Sequence, residues 1–150
     1  MKYPFTYDEF KAVYGKAIRL TIEVIVQDER GILLTKRSIV PYRGFWHTPG
    51  GTVYHGETVE EAVKRIAKNE LGVDVKVGTL LGYVEYPGVF KETGFDWPVS
   101  LAFLVEVVGG EVQAKDQSSE VQFFTTLPEK IIPEQKAFIL THLSRSIKER

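Results

Sequence analysis

The sequence predicts a single mixed α/β domain over residues 1–150, with sheet and helix segments interleaved. Three observations predict it: two-residue alternation over residues 18–27, a capped amphipathic helix over residues 58–71, and a second helical period from residue 133 to about residue 148.

Taken in order, residues 7–15 form a short helix. Ile18, Leu20, Ile22, Val24 and Val26 then alternate with Arg19, Thr21, Glu23, Ile25 and Gln27 in strand period. Asp28-Glu29-Arg30-Gly31 turns the chain, and Ile32-Leu33-Leu34-Thr35-Lys36-Arg37 returns as the hairpin partner, delivering Lys36 and Arg37 to a loop with Pro41, Arg43 and Gly44. The glycine-rich turn Pro49-Gly50-Gly51 leads through residues 52–57 into helix 58–71. Thr58 and Glu61 make a capping box there, and Gly72 supplies the stop. Strands follow at residues 79–86, 99–108 and 120–125. The closing helix carries Ala137, Phe138, Ile139, Leu140, Leu143 and Ile147 in an amphipathic pattern suited to packing on the sheet.

Composition narrows the function. With 19 Lys plus Arg against 20 Asp plus Glu and no lysine-rich run, the chain has no field to gather nucleic-acid phosphates, so a dedicated DNA or RNA binder is excluded. Apolar runs such as residues 101–105 are too short to cross a bilayer, and no secretory signal opens the sequence; the reading is a cytoplasmic protein with no membrane partner. The absence of cysteine removes disulfides, thiol nucleophiles and cysteine-held zinc, so any metal must be held by oxygen or His. His47, His55 and His142 show no zinc spacing and read as loop or helix-surface residues.

At about 100° per residue, Val59, Ala62, Val63, Ile66 and Ala67 share one arc of helix 58–71, and Glu70 projects into its middle. A carboxylate there is disfavoured by burial and by the negative helix end, so either a cation meets it or the last turn emerges into water. The Gly50-Gly51 turn can bring a bare backbone carbonyl to the same cation, and hard oxygen ligands of this kind suit Mg²⁺ or Mn²⁺.

Gly51, Glu57, Arg65, Glu70, Gly72 and Val73 resemble the Nudix box: Gly, five residues, Glu, seven residues, then Arg-Glu-aliphatic-any-Glu-Glu-any-Gly-aliphatic. Five of its seven fixed residues are in register, while Ile66 and Asn69 replace two carboxylates. The resemblance implies the Nudix α/β/α sandwich, a mixed sheet between helices. It also implies metal-assisted hydrolysis of a nucleoside diphosphate linked to another group, with Gly51, Glu57 and Arg65 supporting the box. The same two replacements, with residues 33–37 and 44–51, are similar to the GDP-mannose mannosyl hydrolase branch. That similarity implies one Mg²⁺ held by the Gly50 carbonyl, Glu70 and Gln117, with Arg37 on the diphosphate. Water would attack the sugar carbon of a nucleotide sugar, releasing sugar and nucleoside diphosphate, in a homodimer.

Thr52 and Ser118 stand where that branch has an Arg and a His base, which leaves Glu120, His55 or another loop group to take the proton; Glu120 joins Glu70 as a catalytic candidate. Two alternatives stay open. One is a Nudix pyrophosphatase that cuts the P–O–P bond of a nucleotide sugar or ADP-ribose, with Glu120 as added ligand or base. The other is a catalytically silent nucleotide-binding domain. Tyr83, Tyr86, Phe90, Phe95 and Trp97 either stack on a base or sugar, or fill a core or dimer contact.

Overall fold

The computed structural model describes residues 3–115, 117–143 and 147. Helix α1 (Tyr7–Tyr14) opens on Thr6, which accepts from the Glu9 amide while Glu9 reaches back to the Thr6 amide. Strand β1 (Arg19–Ile25) and the short β2 (Gln27–Asp28) precede β3 (Gly31–Arg37), β4 (Trp46–His47) and β5 (Gly50–Thr52). Helix α2 (Val59–Leu71) has the reciprocal Thr58–Glu61 cap and ends on Gly72 in the left-handed region at φ 71°, a conformation glycine adopts without penalty. Strand β6 (Asp74–Glu85), helix α3 (Pro87–Thr93), strands β7 (Pro98–Gly109) and β8 (Ser118–Phe124), and helix α4 (Pro133–His142) complete the order.

The mixed sheet runs β5-β1-β7-β6, with β1 parallel to β7 and the other neighbours antiparallel. A second, antiparallel sheet joins β2, β3 and β4, with β8 on the other side of β3. Two cores form. Ile22, Val24 and Leu33 meet Ala62, Val63, Ile66 and Leu71 of α2, whereas Ile25, Ile32 and Leu34 meet Phe138 and Ile139 of α4. This is the α/β/α layering expected, with an extra antiparallel sheet. Because neighbours cover β1 from both sides, residues 21–25 are all buried, so its alternation sorts side chains between two cores rather than between core and water. Among the described residues, no helix is long and apolar enough to cross a membrane.

Several elements differ from expectation: the hairpin partner of β3 is the short β2, not β1, which lies in the other sheet, and β8 begins at Ser118. The strand predicted from residue 79 begins at Asp74; its register slips between Val77 and Gly82 break the two-residue period into halves, of which only the second reads clearly. Helix α3 arises within the aromatic stretch, started by Pro87 and stopped by Gly94 at φ 79°. The closing helix ends at His142 rather than near residue 148: the Leu143 amide bonds the Ile139 carbonyl, but Leu143 itself leaves helical geometry at φ −129°. Leu143 and Ile147 remain buried, while residues 144–146 and 148 lie outside the described residues.

Candidate active site

A cleft of about 980 Å³ opens where β1, β5 and α2 meet the loop after β3, α3 and the N-terminal segment. Its floor depends on the close approach of β5 to β1, paired Glu23 to Gly50, Ile22 to Gly51 and Thr21 to Thr52. A Cβ on Gly50 would sit 2.5 Å from the Ile22 carbonyl oxygen, and one on Gly51 would sit 3.2 Å from Ile66 Cγ1. The glycine pair therefore lets bare backbone lie between β1 and α2.

The loop leading into α2 is braced at its base. Arg65 Nε donates to Glu57 Oε2 at 2.6 Å and Arg65 Nη2 to Glu57 Oε1 at 2.9 Å, while the same Nη2 donates to the Thr52 carbonyl at 2.7 Å. The Arg65 guanidinium also lies 3.7 Å from the centre of the Tyr54 ring. The Arg65 fork holds the Glu57 carboxyl below its usual range. Glu57 and Arg65 thus form a mostly buried ion pair that ties the loop to α2, with Arg65 at the edge of the cleft.

Gly50, Gly51, Arg37, Gln117 and Glu70 all line the cleft. Arg37 is half-buried and its Nε donates to the Pro41 carbonyl at 2.6 Å. Burial weakens its hold on the proton and the nearby Glu70 carboxylate offsets that. Glu70 is neither in the core nor turned out to water: it is half-buried on the cleft wall, with Ile66 buried against Gly51 and Asn69 beside it. The Gln117 carbonyl accepts from the Ser38 amide, which ties the start of β8 to the end of β3. Glu120 is not among the lining residues; it pairs with Lys36 at 3.3 Å on the outer surface, 56% exposed. His55 is exposed in the turn before α2.

The floor of the cleft is built from residues that sequence reasoning did not single out. Glu23, 6% exposed, accepts from Tyr86 Oη at 2.9 Å, Ser100 Oγ at 2.8 Å, Gln135 Nε2 at 3.1 Å and the Thr48 hydroxyl. Burial pushes its carboxyl up to about 7 although these donors and Arg19 pull the other way. Gln135 also accepts from the Thr48 amide at 2.8 Å and donates to Tyr86 Oη at 2.9 Å, so the segment entering Gly50 is fixed from α4. His47 is not a loop or helix-surface residue: it sits on β4, lines the cleft and shares a 3.1 Å hydrogen bond with Thr35 Oγ1. Burial, with Arg37 nearby, drives its pKa down to about 3, so the ring is neutral. A carboxylate inside a strand run was the one available signal for Glu23; nothing local marked His47. Of the aromatic stretch, Tyr86 belongs to this floor and Phe95 to the cleft wall, Phe90 stacks edge-on with Trp97, and Tyr83 is exposed on β6.

A family model described as NUDIX domain matches residues 17–142. An ADP-ribose pyrophosphatase of Methanocaldococcus jannaschii is 39% identical over 105 residues, 70% of this chain but only 60% of that protein's length. The low-salt glycan biosynthesis protein Agl8 of Haloferax volcanii is 33% identical over 123 residues, covering 78% of this chain and 77% of its own. The crystal structure of a MutT NUDIX hydrolase from Burkholderia pseudomallei superposes with a TM-score of 0.75 at 25% identity, covering 85% of this chain and 99% of that one.

Proposed function

The chain belongs to the Nudix family, and from that premise we propose that it is a divalent-metal-dependent hydrolase of a nucleoside diphosphate derivative, a nucleotide sugar, using Mg²⁺ or Mn²⁺. The observation that carries the reading is Glu70 and Arg37 together on the cleft wall beside the Gly50-Gly51 backbone. These are the opposite charges that a cation and a diphosphate would take up.

The residues suit one sparsely held ion. Among the described residues, no group of three or more His, Cys, Asp or Glu is placed to hold a metal. By resemblance to the one-ion branch of the family, the protein ligands would be the Glu70 carboxylate, the Gly50 carbonyl and the Gln117 amide oxygen, as hard ions that keep waters and substrate oxygens accept. Bound there, the ion would neutralise charge on the departing diphosphate. Arg37 offers its guanidinium to the same phosphates, steadied through Nε by Pro41. Ile66 packs on Gly51 and carries no proton, and Glu120 would have to leave Lys36 to accept one. A homodimer is part of the same reading and is checked by sedimentation.

The first reading breaks the bond from sugar carbon to oxygen. The second, cleavage between the phosphorus atoms, is favoured by similarity to the ADP-ribose pyrophosphatase of Methanocaldococcus, whereas similarity to Agl8, a glycan biosynthesis protein, supports a sugar substrate under either. The test incubates the protein and its Glu70→Gln and Glu120→Gln variants with Mg²⁺ and a panel of nucleotide sugars and ADP-ribose, and identifies both products. Free sugar with nucleoside diphosphate supports the first; sugar phosphate with nucleoside monophosphate supports the second. Turnover that survives Glu70→Gln unchanged rejects both.

A further inference from the structure

The cleft has a second end that this chemistry leaves unused. Thr52 lies two residues beyond Gly50 on β5, about 7 Å away at ordinary strand rise, which leaves room for one pentose ring. At Thr52 the side chains change in kind: Arg19 Nη1 donates to Thr52 Oγ1 at 2.9 Å, and Tyr3 Oη donates to the same oxygen at 3.2 Å. Arg19 is held rigidly. Its Nε and Nη2 donate to the two carboxylate oxygens of Asp96 at 2.9 and 2.7 Å, and its guanidinium carbon lies 5.2 Å from the Phe10 ring centre. Asp96 is itself fixed, 4% exposed with its amide bonded to Thr93 Oγ1 at 3.0 Å.

That pairing changes what Arg19 offers. Asp96 matches its charge, so the cleft meets an oriented set of N–H donors rather than a net cation; among the described residues, three of the five guanidinium N–H groups are engaged. A matched guanidinium selects an uncharged acceptor in a fixed plane more than it selects a phosphate. The surrounding wall is aromatic. Phe10 and Phe95 meet edge to face at 6.1 Å, and Tyr7, 68% exposed, stands at the rim of the same cleft. Flat faces beside in-plane donors fit a nucleobase better than a sugar or a phosphate.

We propose that Arg19, fixed by Asp96, is the residue that reads the nucleobase of the substrate, donating to an acceptor on the base edge while Tyr7 lies against the ring. The proposal rests on the diphosphate reading of the Glu70 end. It makes Arg19 a specificity-determining residue that acts on binding of the nucleoside and not on the phosphates.

The experiment measures equilibrium binding of ADP, GDP, CDP, UDP and inorganic pyrophosphate, in Mg²⁺, to the wild type and to Arg19→Lys and Tyr7→Ala. Losing hydrogen bonds from a charged donor should weaken the preferred nucleoside diphosphate at least about tenfold in Arg19→Lys and narrow the spread among the four bases. Pyrophosphate affinity should stay within about twofold in both variants, since the diphosphate end is untouched. Tyr7→Ala removes an exposed ring that supports no core, so it folds even if Arg19→Lys does not, and it should weaken all four nucleotides alike. Parallel loss of nucleotide and pyrophosphate binding in Arg19→Lys would reassign Arg19 to the phosphates and overturn the proposal. Unchanged nucleotide affinity in both variants, or a wild type that binds pyrophosphate as well as every nucleotide, overturns it while leaving the Glu70 end standing. A wild type that binds neither removes the diphosphate reading and this proposal with it.

Discussion

Replacing Glu23 by Gln should change how stability depends on pH, and the direction is fixed by two groups, buried Glu23 and half-buried His47, that titrate in opposition. Glu23 has a pKa of about 7 in the fold against 4.5 when unfolded, so the native state binds the extra proton between those values. Its contribution is fully present below pH 4.5 and is lost as pH rises through 7. His47 has a pKa of about 3 in the fold against 6.5 unfolded, so the unfolded state binds the extra proton, and stability is lost as pH falls below 6.5. Linkage gives, between about pH 8 and about pH 5, a gain of about 2–3 kcal/mol from Glu23 and a loss of comparable size from His47. The two nearly cancel in the wild type. Glu23→Gln deletes the gain and keeps the loss, so its stability should drop by about 2–3 kcal/mol more than that of the wild type over the same pH interval. Because Gln cannot accept all the bonds from Tyr86, Ser100, Gln135 and Thr48, the whole curve also shifts; only the pH dependence is diagnostic. Urea unfolding followed by tryptophan fluorescence, in EDTA at several pH values, measures it. Parallel curves for the two proteins would refute the claim that Glu23 is held protonated by burial.

Glu70→Gln should lower turnover at least about tenfold while leaving the unfolding midpoint almost unchanged, because a half-buried carboxylate at a site is kept for chemistry rather than stability; product assays beside thermal unfolding check both halves. Glu57→Gln should cost about 3 kcal/mol, since it leaves Arg65 buried with its charge unmatched. Acid should do the same to the wild type, whose depressed Glu57 pKa means this stability is lost as pH falls through the folded value; denaturant midpoints measure both. Gly50→Ala should be far worse than Gly51→Ala, because its methyl meets backbone oxygen at 2.5 Å where that of Gly51 meets the movable end of Ile66 at 3.2 Å; soluble yield and melting temperature rank them. Chelation with EDTA should abolish turnover and returning Mg²⁺ should restore it, leaving far-UV circular dichroism constant, because the fold closes on its own two cores.

The local features of this fold were readable because their causes are local. Thr58 with Glu61, Gly72 after Leu71, and the spacing of Gly51, Glu57 and Arg65 each act within a turn or two of helix, and all appear where the pattern put them. The period of β6 was harder because its register slips fall inside the strand, and α3 was missed because its aromatic residues mask a proline start and a glycine stop. Of the site residues the sequence points to, Glu70, Arg37, Gly50 and Gln117 line one cleft, while Glu120 pairs with Lys36 outside it. A neighbour in strand register sets which side of the sheet a residue takes, but not whether a cleft reaches it.

The family box and the capped helix beneath it are written in the sequence. Which charges lose their water follows from the folded arrangement alone. Glu23 is buried among groups as far away as Gln135, 112 positions along the chain, and Arg19 is locked by Asp96, 77 positions away. Alternation and capping depend on neighbours in sequence; desolvation depends on the segments that close over a group once the chain has folded, and those come from anywhere in it.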